Sequence, residues 1–459
     1  MTLAPPIRVQ SVIDDTPMNV KRWGVVALCF VIALLDGFDT QSIAFIGSSI
    51  AEEFAMSTAA MTAVITASTV GMALGAITLG SVGDRIGRKR AILLALTIFG
   101  FFSFLGAFAQ APWQIILLRF LIGLGMGGAT PSLLALAAEY SPVGSRKMSM
   151  TLVLLGLPGG AMLGGVVAAA WLPVLGWRGI FLLGGVLPLI LLLIVVLVLP
   201  ESPSYLATRG DAASQAKARN LLQRMTGATL PEGTVLQAEQ ADDDENAGSI
   251  RALFDSAYRN STITICAIYL ANWVAWFLLL QWTPTALHQA GLSKEQAASG
   301  TIVVNGAFIL FSFLVAALLS RVAIRTLLLG MFGVGILVAL GLSVSGSNWT
   351  LTFLLIALAG FGIGGQQLVL NYLIAETYPT QLRGTATGFS IGVGRTGSII
   401  GSALGGALLS SVGVGGYFGF IAVPLAIAAL ATLTLRSRQR NSSSEDHDDE
   451  GLALTGPER

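Results

Sequence analysis

Two aspartates three residues apart interrupt an apolar stretch: Asp36 and Asp39, in Leu34-Leu35-Asp36-Gly37-Phe38-Asp39-Thr40. Residues 23–46 are otherwise apolar or small, long enough for a helix that crosses a bilayer. A charge at membrane depth costs at least ~2.5 kcal/mol. A spacing of i, i+3 puts both acids on one helix face, so that face must look toward polar surroundings. Acids held at such cost mark a proton or ion pathway. Two arginines, Arg119 and Arg395, also fall inside apolar stretches. A guanidinium there can meet a carboxylate bidentately without giving up its proton.

The elements that must position these residues are transmembrane helices. The 459 residues are 54% hydrophobic and only 11% charged, with 54 glycines. That excludes a soluble globular protein of this size. Twelve stretches are long and apolar enough to span: 23–46, 60–82, 91–110, 113–137, 149–171, 178–199, 261–286, 298–319, 326–345, 349–373, 384–411 and 415–435. The expected fold is an all-α polytopic membrane protein. With the N-terminus inside, all but four of the 26 lysines and arginines fall on the cytoplasmic side. The positive-inside rule therefore puts both termini there. A net charge of +1 offers no basic patch for nucleic acid. Cys29 and Cys266 lie within spans and suit neither a disulfide framework nor a metal site. His288 falls in an outer loop and His447 in the tail, and no nucleophile–base constellation points to an enzyme.

The chain repeats itself at an offset of 237. Gly123-Leu-Gly-Met-Gly-Gly128 matches Gly360-Phe-Gly-Ile-Gly-Gly365. Glu139, Pro142 and Arg146 match Glu376, Pro379 and Arg383, and Gly160 and Gly164 match Gly397 and Gly401. Charged positions kept in an ungapped register argue for two six-helix halves, a plan that places substrate near the midplane between them. The expected organisation is an N-terminal tail (1–22), a first bundle (23–199), a linker (200–260), a second bundle (261–435) and a tail (436–459). The linker carries Asp242-Asp243-Asp244-Glu245 and reads as a charged cytoplasmic loop. The last tail, rich in Ser, Asp and Glu, reads as disordered.

Gly80-Ser-Val-Gly-Asp84-Arg85-Ile-Gly87-Arg88-Lys89-Arg90, between spans two and three, resembles the signature loop of the major facilitator superfamily. Trp177-Arg178 and Pro200-Glu201-Ser202-Pro203 also resemble that superfamily. Asp36-Gly37-Phe38-Asp39 and Gly394-Arg395-Thr-Gly397 together resemble its aromatic acid:proton symporter family. The resemblance implies import of benzoates, hydroxybenzoates, protocatechuate or phenylpropionates with protons, or of muconate or nicotinate in some members. It implies that Asp84, Arg85 and Arg88 make charge contacts that hold the cytoplasmic side closed.

Roles follow for the remaining residues. Asp36 and Asp39 are the expected proton-coupling site, and two acids so close titrate as a pair. Arg395 is the expected partner of a substrate carboxylate, directly or through a charge network; the alternative is an ion pair with Asp36 or Asp39. Arg119 is either a substrate residue or a bridge between helices. Trp273 and Trp276 stand at offset 237 from Asp36 and Asp39, and they offer aromatic walls or simple packing. Gln366, Gln367 and Asn371 could bond a ring hydroxyl or one another's helices. Glu139, Arg146, Glu376 and Arg383 are expected charge locks at helix ends. Gly156, Pro158, Gly159 and Gly160 allow the fifth span to bend and pack closely. A sugar or drug porter, and a non-transporting chemosensor, are the competing readings. The expected protein works as a monomer in a bacterial inner membrane. It uses the proton gradient and no cofactor or metal.

Overall fold

A computed structural model describes residues 7–231, 234–237, 250–319 and 321–435. The side chains of Ser81, Asp84, Thr380 and Gln381 lie outside this set, as do the acidic run at 242–245 and the tail from 436. Ten helical stretches are apolar and long enough to cross a membrane. Two of them are too long for one crossing. Val143–Val198 holds 56 residues, about 84 Å at ~1.5 Å per residue, against a hydrocarbon core of about 30 Å. It folds back at Gly176, with φ 61° and ψ −174°. That backbone region is essentially reserved for glycine. Thr380–Phe420 breaks in the same way at Gly413, φ 68° and ψ −175°. Gly413 stands at offset 237 from Gly176, so both halves turn at the same place. Twelve crossings result, as the hydropathy predicts.

Span one is Val20–Glu53 and span two is Thr58–Ile86. Arg88–Gly106 and Pro112–Glu139 are spans three and four. Spans five and six are the two arms of Val143–Val198. The second half begins with Arg259–Gln289, Lys294–Leu319 and Ile324–Val344 as spans seven to nine. Span ten is composite: α-helix Trp349–Ala359, a π-helical turn Gly360–Gly364, then α-helix Gln366–Thr377. Span eleven is the first arm of Thr380–Phe420, and span twelve runs through Ala422–Thr434. Span one is about two turns longer at its far end than hydropathy suggests, because polar Ser48, Ser49, Glu52 and Glu53 continue the helix beyond the apolar core.

The pseudo-symmetry extends to backbone contacts. A Cβ at Gly160 would collide with the carbonyl of Leu34 in span one, and one at Gly397 with the carbonyl of Leu270 in span seven. Each glycine lets a pair of helices touch backbone to backbone, as small residues do in membrane bundles.

The linker and the first tail are more ordered than a charged loop. Helices Val9–Asp14, Pro203–Thr208 and Ala212–Thr226 pack Val9, Ile13, Ala207, Ala218 and Leu222 into a small core of their own. Ile7–Arg8 pairs in parallel with Leu236–Gln237. Arg22, which sequence alone counts as a topology charge, is fully buried. Its guanidinium donates to the carbonyls of Tyr140, Thr16, Pro17 and Ile13. The tail is thereby tied to the end of span four.

Candidate functional site

Asp36 and Asp39 are both buried, at 2% and 1% exposure, but they have different partners. Arg119 Nη1 lies 2.9 Å from Asp39 Oδ2, and its Nη2 donates 3.3 Å to the Asp39 carbonyl. The same Nη1 reaches Ser42 Oγ at 3.4 Å. Arg119 is fully buried, and span four is thus bonded to span one. Of the two roles open to Arg119 in sequence, the structure displays the bridge. Among the described residues Asp36 makes no ion pair within the first half. It accepts hydrogen bonds from Thr130 at 3.1 Å and Thr40 at 3.3 Å. Arg395 of span eleven, in the other half, acts on it electrostatically.

Arg395 is partly buried. Among the described residues its guanidinium has no hydrogen bond and no ion pair within 4.0 Å. An arginine at this depth with five donors unclaimed can receive an anion. Beside it, Gly394 packs on the indole of Trp273. Trp273 is half-buried, donates from Nε1 to Gln367 Oε1 at 2.6 Å, and lies offset-stacked with Phe277, ring centroids 5.7 Å apart. Trp276, one turn on, packs on Gly364 and sits 5.9 Å from the Phe308 ring.

The three amides of span ten separate by face. Gln366 is fully buried. It accepts from Asn272 and donates to the carbonyl of Gly362, so it bridges spans seven and ten and has little left for a ligand. Of the two roles open to Gln366 in sequence, the structure displays the interhelical bond. Gln367 holds Trp273, and Asn371 accepts from the Tyr269 hydroxyl at 2.8 Å.

The expected charge locks fare unevenly. Glu139 accepts from Ser202 Oγ of the linker and lies 4.0 Å from Arg88 Nε of the first half. Arg146 reaches Asp14 of the tail at 3.7 Å. Glu376 is exposed and has no ion pair among the described residues. Arg383 donates from Nε to the Tyr378 carbonyl at 3.0 Å. The repeat of these charges therefore does not become a repeat of ion pairs. Arg85 is exposed, and its carbonyl accepts from Tyr205. The side chain of Asp84 lies outside the described residues.

Several contacts join the halves toward the face opposite the N-terminus. Gln41 Nε2 donates to the Leu280 carbonyl at 2.5 Å, and Thr69 and Ser402 share a hydrogen bond at 3.2 Å. Lys294 pairs with Glu52 at 2.6 Å. Sequence reasoning missed Thr130, Thr40 and Gln41. Thr130 had a signal: it stands at offset 237 from Gln367.

The family model described as Major Facilitator Superfamily matches residues 29–348 and 303–456. The chain belongs to the major facilitator superfamily. A gallate transporter of Pseudomonas putida is 35% identical over 429 residues, covering 93% of this chain and 94% of the relative. A 4-hydroxybenzoate transporter of Pseudomonas aeruginosa is 32% identical, covering 92% and 94%. The solved xylose transporter of E. coli, in a partially occluded inward-open conformation, superposes with a TM-score of 0.69 at 19% identity, over 90% of this chain and 97% of its own. That last likeness concerns the fold alone. The resemblance carried by the 80–90 loop and by Asp36-Gly37-Phe38-Asp39 is thus matched by relatives over nearly the whole length. Membership makes the chain a polytopic membrane transporter.

Proposed function

We propose that this transporter imports an aromatic carboxylate of the hydroxybenzoate type together with a proton. The observation that carries the reading is Arg395. Arg119 is already occupied by Asp39, whereas Arg395 has no ion pair among the described residues, interacts electrostatically with Asp36 of the other half, and follows Gly394, which packs on Trp273. A benzoate-like anion fits that set: a carboxylate for the guanidinium and a flat ring for the indole. Two relatives named for hydroxylated benzoates support the substrate class.

Asp36 is the proton carrier best suited to couple with substrate. Protonation removes the cost of burying its charge, and it leaves the Arg395 charge to the incoming anion. Asp39, held by Arg119, serves as the fixed member of the pair. The driving force is the proton gradient, with no cofactor. Access alternates by rocking of the halves, and the contacts of Gln41, Thr69 and Glu52 with the second half must break when the far face opens. The protein works as a monomer in a bacterial inner membrane, both termini cytoplasmic. Its parts are tail 1–22, bundles 23–199 and 261–435, linker 200–260 and tail 436–459. A neutral sugar would leave Arg395 without a counter-charge, so the fold likeness to a xylose transporter does not favour a sugar.

Uptake of labelled 4-hydroxybenzoate by cells producing the protein tests the reading, with unlabelled aromatic acids, muconate, nicotinate and xylose as competitors. Aromatic acids should compete strongly and xylose not at all. Equal competition by xylose would contradict the assignment.

A further inference from the structure

Two tryptophans one helical turn apart each rest on a glycine of a different span. A Cβ built at Gly394 of span eleven would lie 3.1, 3.1 and 3.2 Å from Cδ2, Cε2 and Cγ of Trp273. That is closer than side-chain carbons ordinarily pack, and three atoms of one rigid ring would be pressed at once. A Cβ at Gly364, the last residue of the π-helical turn, would lie 2.7 and 2.8 Å from Cη2 and Cζ3 of Trp276. A single π turn inside an α-helix commonly marks a functional position, and here it delivers Gly364 to an indole. Trp273 is further fixed at its edge by Gln367. The tilt of the Trp273 ring is set by Gly394, Gln367 and Phe277, and that of Trp276 by Gly364 and Phe308, neighbours that bear no charge.

We infer that Gly394 and Gly364 are positioning residues for aromatic recognition: they seat Trp273 and Trp276 at the angle from which the rings meet the substrate's ring. This rests on the proposed transport of an aromatic carboxylate. Arg395 adjoins Gly394 in sequence, so the seat of the ring and the partner of the carboxylate are built into one turn of span eleven. A tilted indole would lose ring contact without disturbing the guanidinium. Gly394 thus governs the preference for a flat ring over a saturated one, and not the ability to bind a carboxylate.

The test compares Gly394→Ala with Gly392→Ala, where a Cβ meets nothing within 4 Å on the same helix. Alanine favours a helix over glycine, so neither change threatens folding by propensity. Uptake of labelled 4-hydroxybenzoate by the wild type must be measured first; its absence would end the transport reading before any variant is compared. Given wild-type uptake, Gly394→Ala should raise KM about two- to tenfold, the range one aromatic contact is worth, with maximal velocity nearly kept. Its inhibition by cyclohexanecarboxylate should stay as in the wild type, narrowing the preference for the aromatic ring. Gly392→Ala should change neither. Combining Gly394→Ala with Trp273→Ala, which removes the ring that meets the new methyl, should add no penalty to Trp273→Ala alone. Gly364→Ala should show the same loss of ring preference. An unchanged KM in Gly394→Ala would overturn the inference, as would an equal change in Gly392→Ala or additive penalties in the double variant.

Discussion

Spans one and four meet in the first half as spans seven and ten meet in the second, but the residues at the meeting points differ in kind. Asp36 accepts from Thr130; at offset 237, Trp273 donates to Gln367. Asp39 binds Arg119; its counterpart Trp276 packs on Gly364, and the position of Arg119 is taken by Ile356. The frame around them is shared: the turns at Gly176 and Gly413 have nearly the same dihedrals. The comparison teaches that one duplicated scaffold can hold ionisable chemistry in one half and aromatic chemistry in the other. Arg395 of the second half, acting electrostatically on Asp36 of the first, is where the two meet.

The sharpest contrast should appear in stability. Arg119→Met leaves Asp39 buried without its partner, and breaking a buried pair in this way costs roughly 3–5 kcal/mol. Thermal unfolding in detergent should show a large drop, partly restored by adding Asp39→Asn. A neutral Arg119→Met would erase the distinction between the halves. Arg395→Lys keeps the charge and loses the fork. Binding of 4-hydroxybenzoate should weaken roughly tenfold, with little change in thermal stability, because lysine keeps the charge that acts on Asp36 and Arg395 has no hydrogen bond from its guanidinium to lose among the described residues. On the aromatic side, Gln367→Leu leaves the Trp273 N–H without its acceptor, a loss of about 1 kcal/mol, read as a several-fold higher KM. Smallest of all, Lys294→Ala removes a pair whose Glu52 side chain is 64% exposed. Exposed pairs are worth no more than about 1 kcal/mol, so unfolding should barely move.

Much of the scaffold was legible because it is written in hydropathy and spacing. The spans follow from apolar length, and the halves from charged and glycine positions at offset 237. What could not be read was rotation. Gln366 and Gln367 are neighbours in sequence, yet one is spent on Asn272 and the other on Trp273. Span ten is apolar nearly all round, so periodicity does not tell its faces apart, and its π turn shifts the register besides. Arg119 likewise gave two readings until the rotation of span four turned it onto Asp39. Repeated charges misled for a related reason. Glu376 and Arg383 match Glu139 and Arg146 in spacing, but pairing depends on neighbours that were not duplicated, such as Asp14 of the tail and Ser202 of the linker. The tail's order was partly visible: Val9 and Ile13 recur at helical spacing, and they do form a core with the linker.

Purified protein in proteoliposomes, with an imposed inward proton gradient, tests the division of labour most directly. The wild type should concentrate labelled 4-hydroxybenzoate inside and lose that accumulation on addition of a protonophore. Asp36→Asn should still exchange labelled for unlabelled substrate across the membrane but should no longer accumulate it. Accumulation that ignores the protonophore, or that survives Asp36→Asn, would contradict the assignment of proton coupling to the charged half.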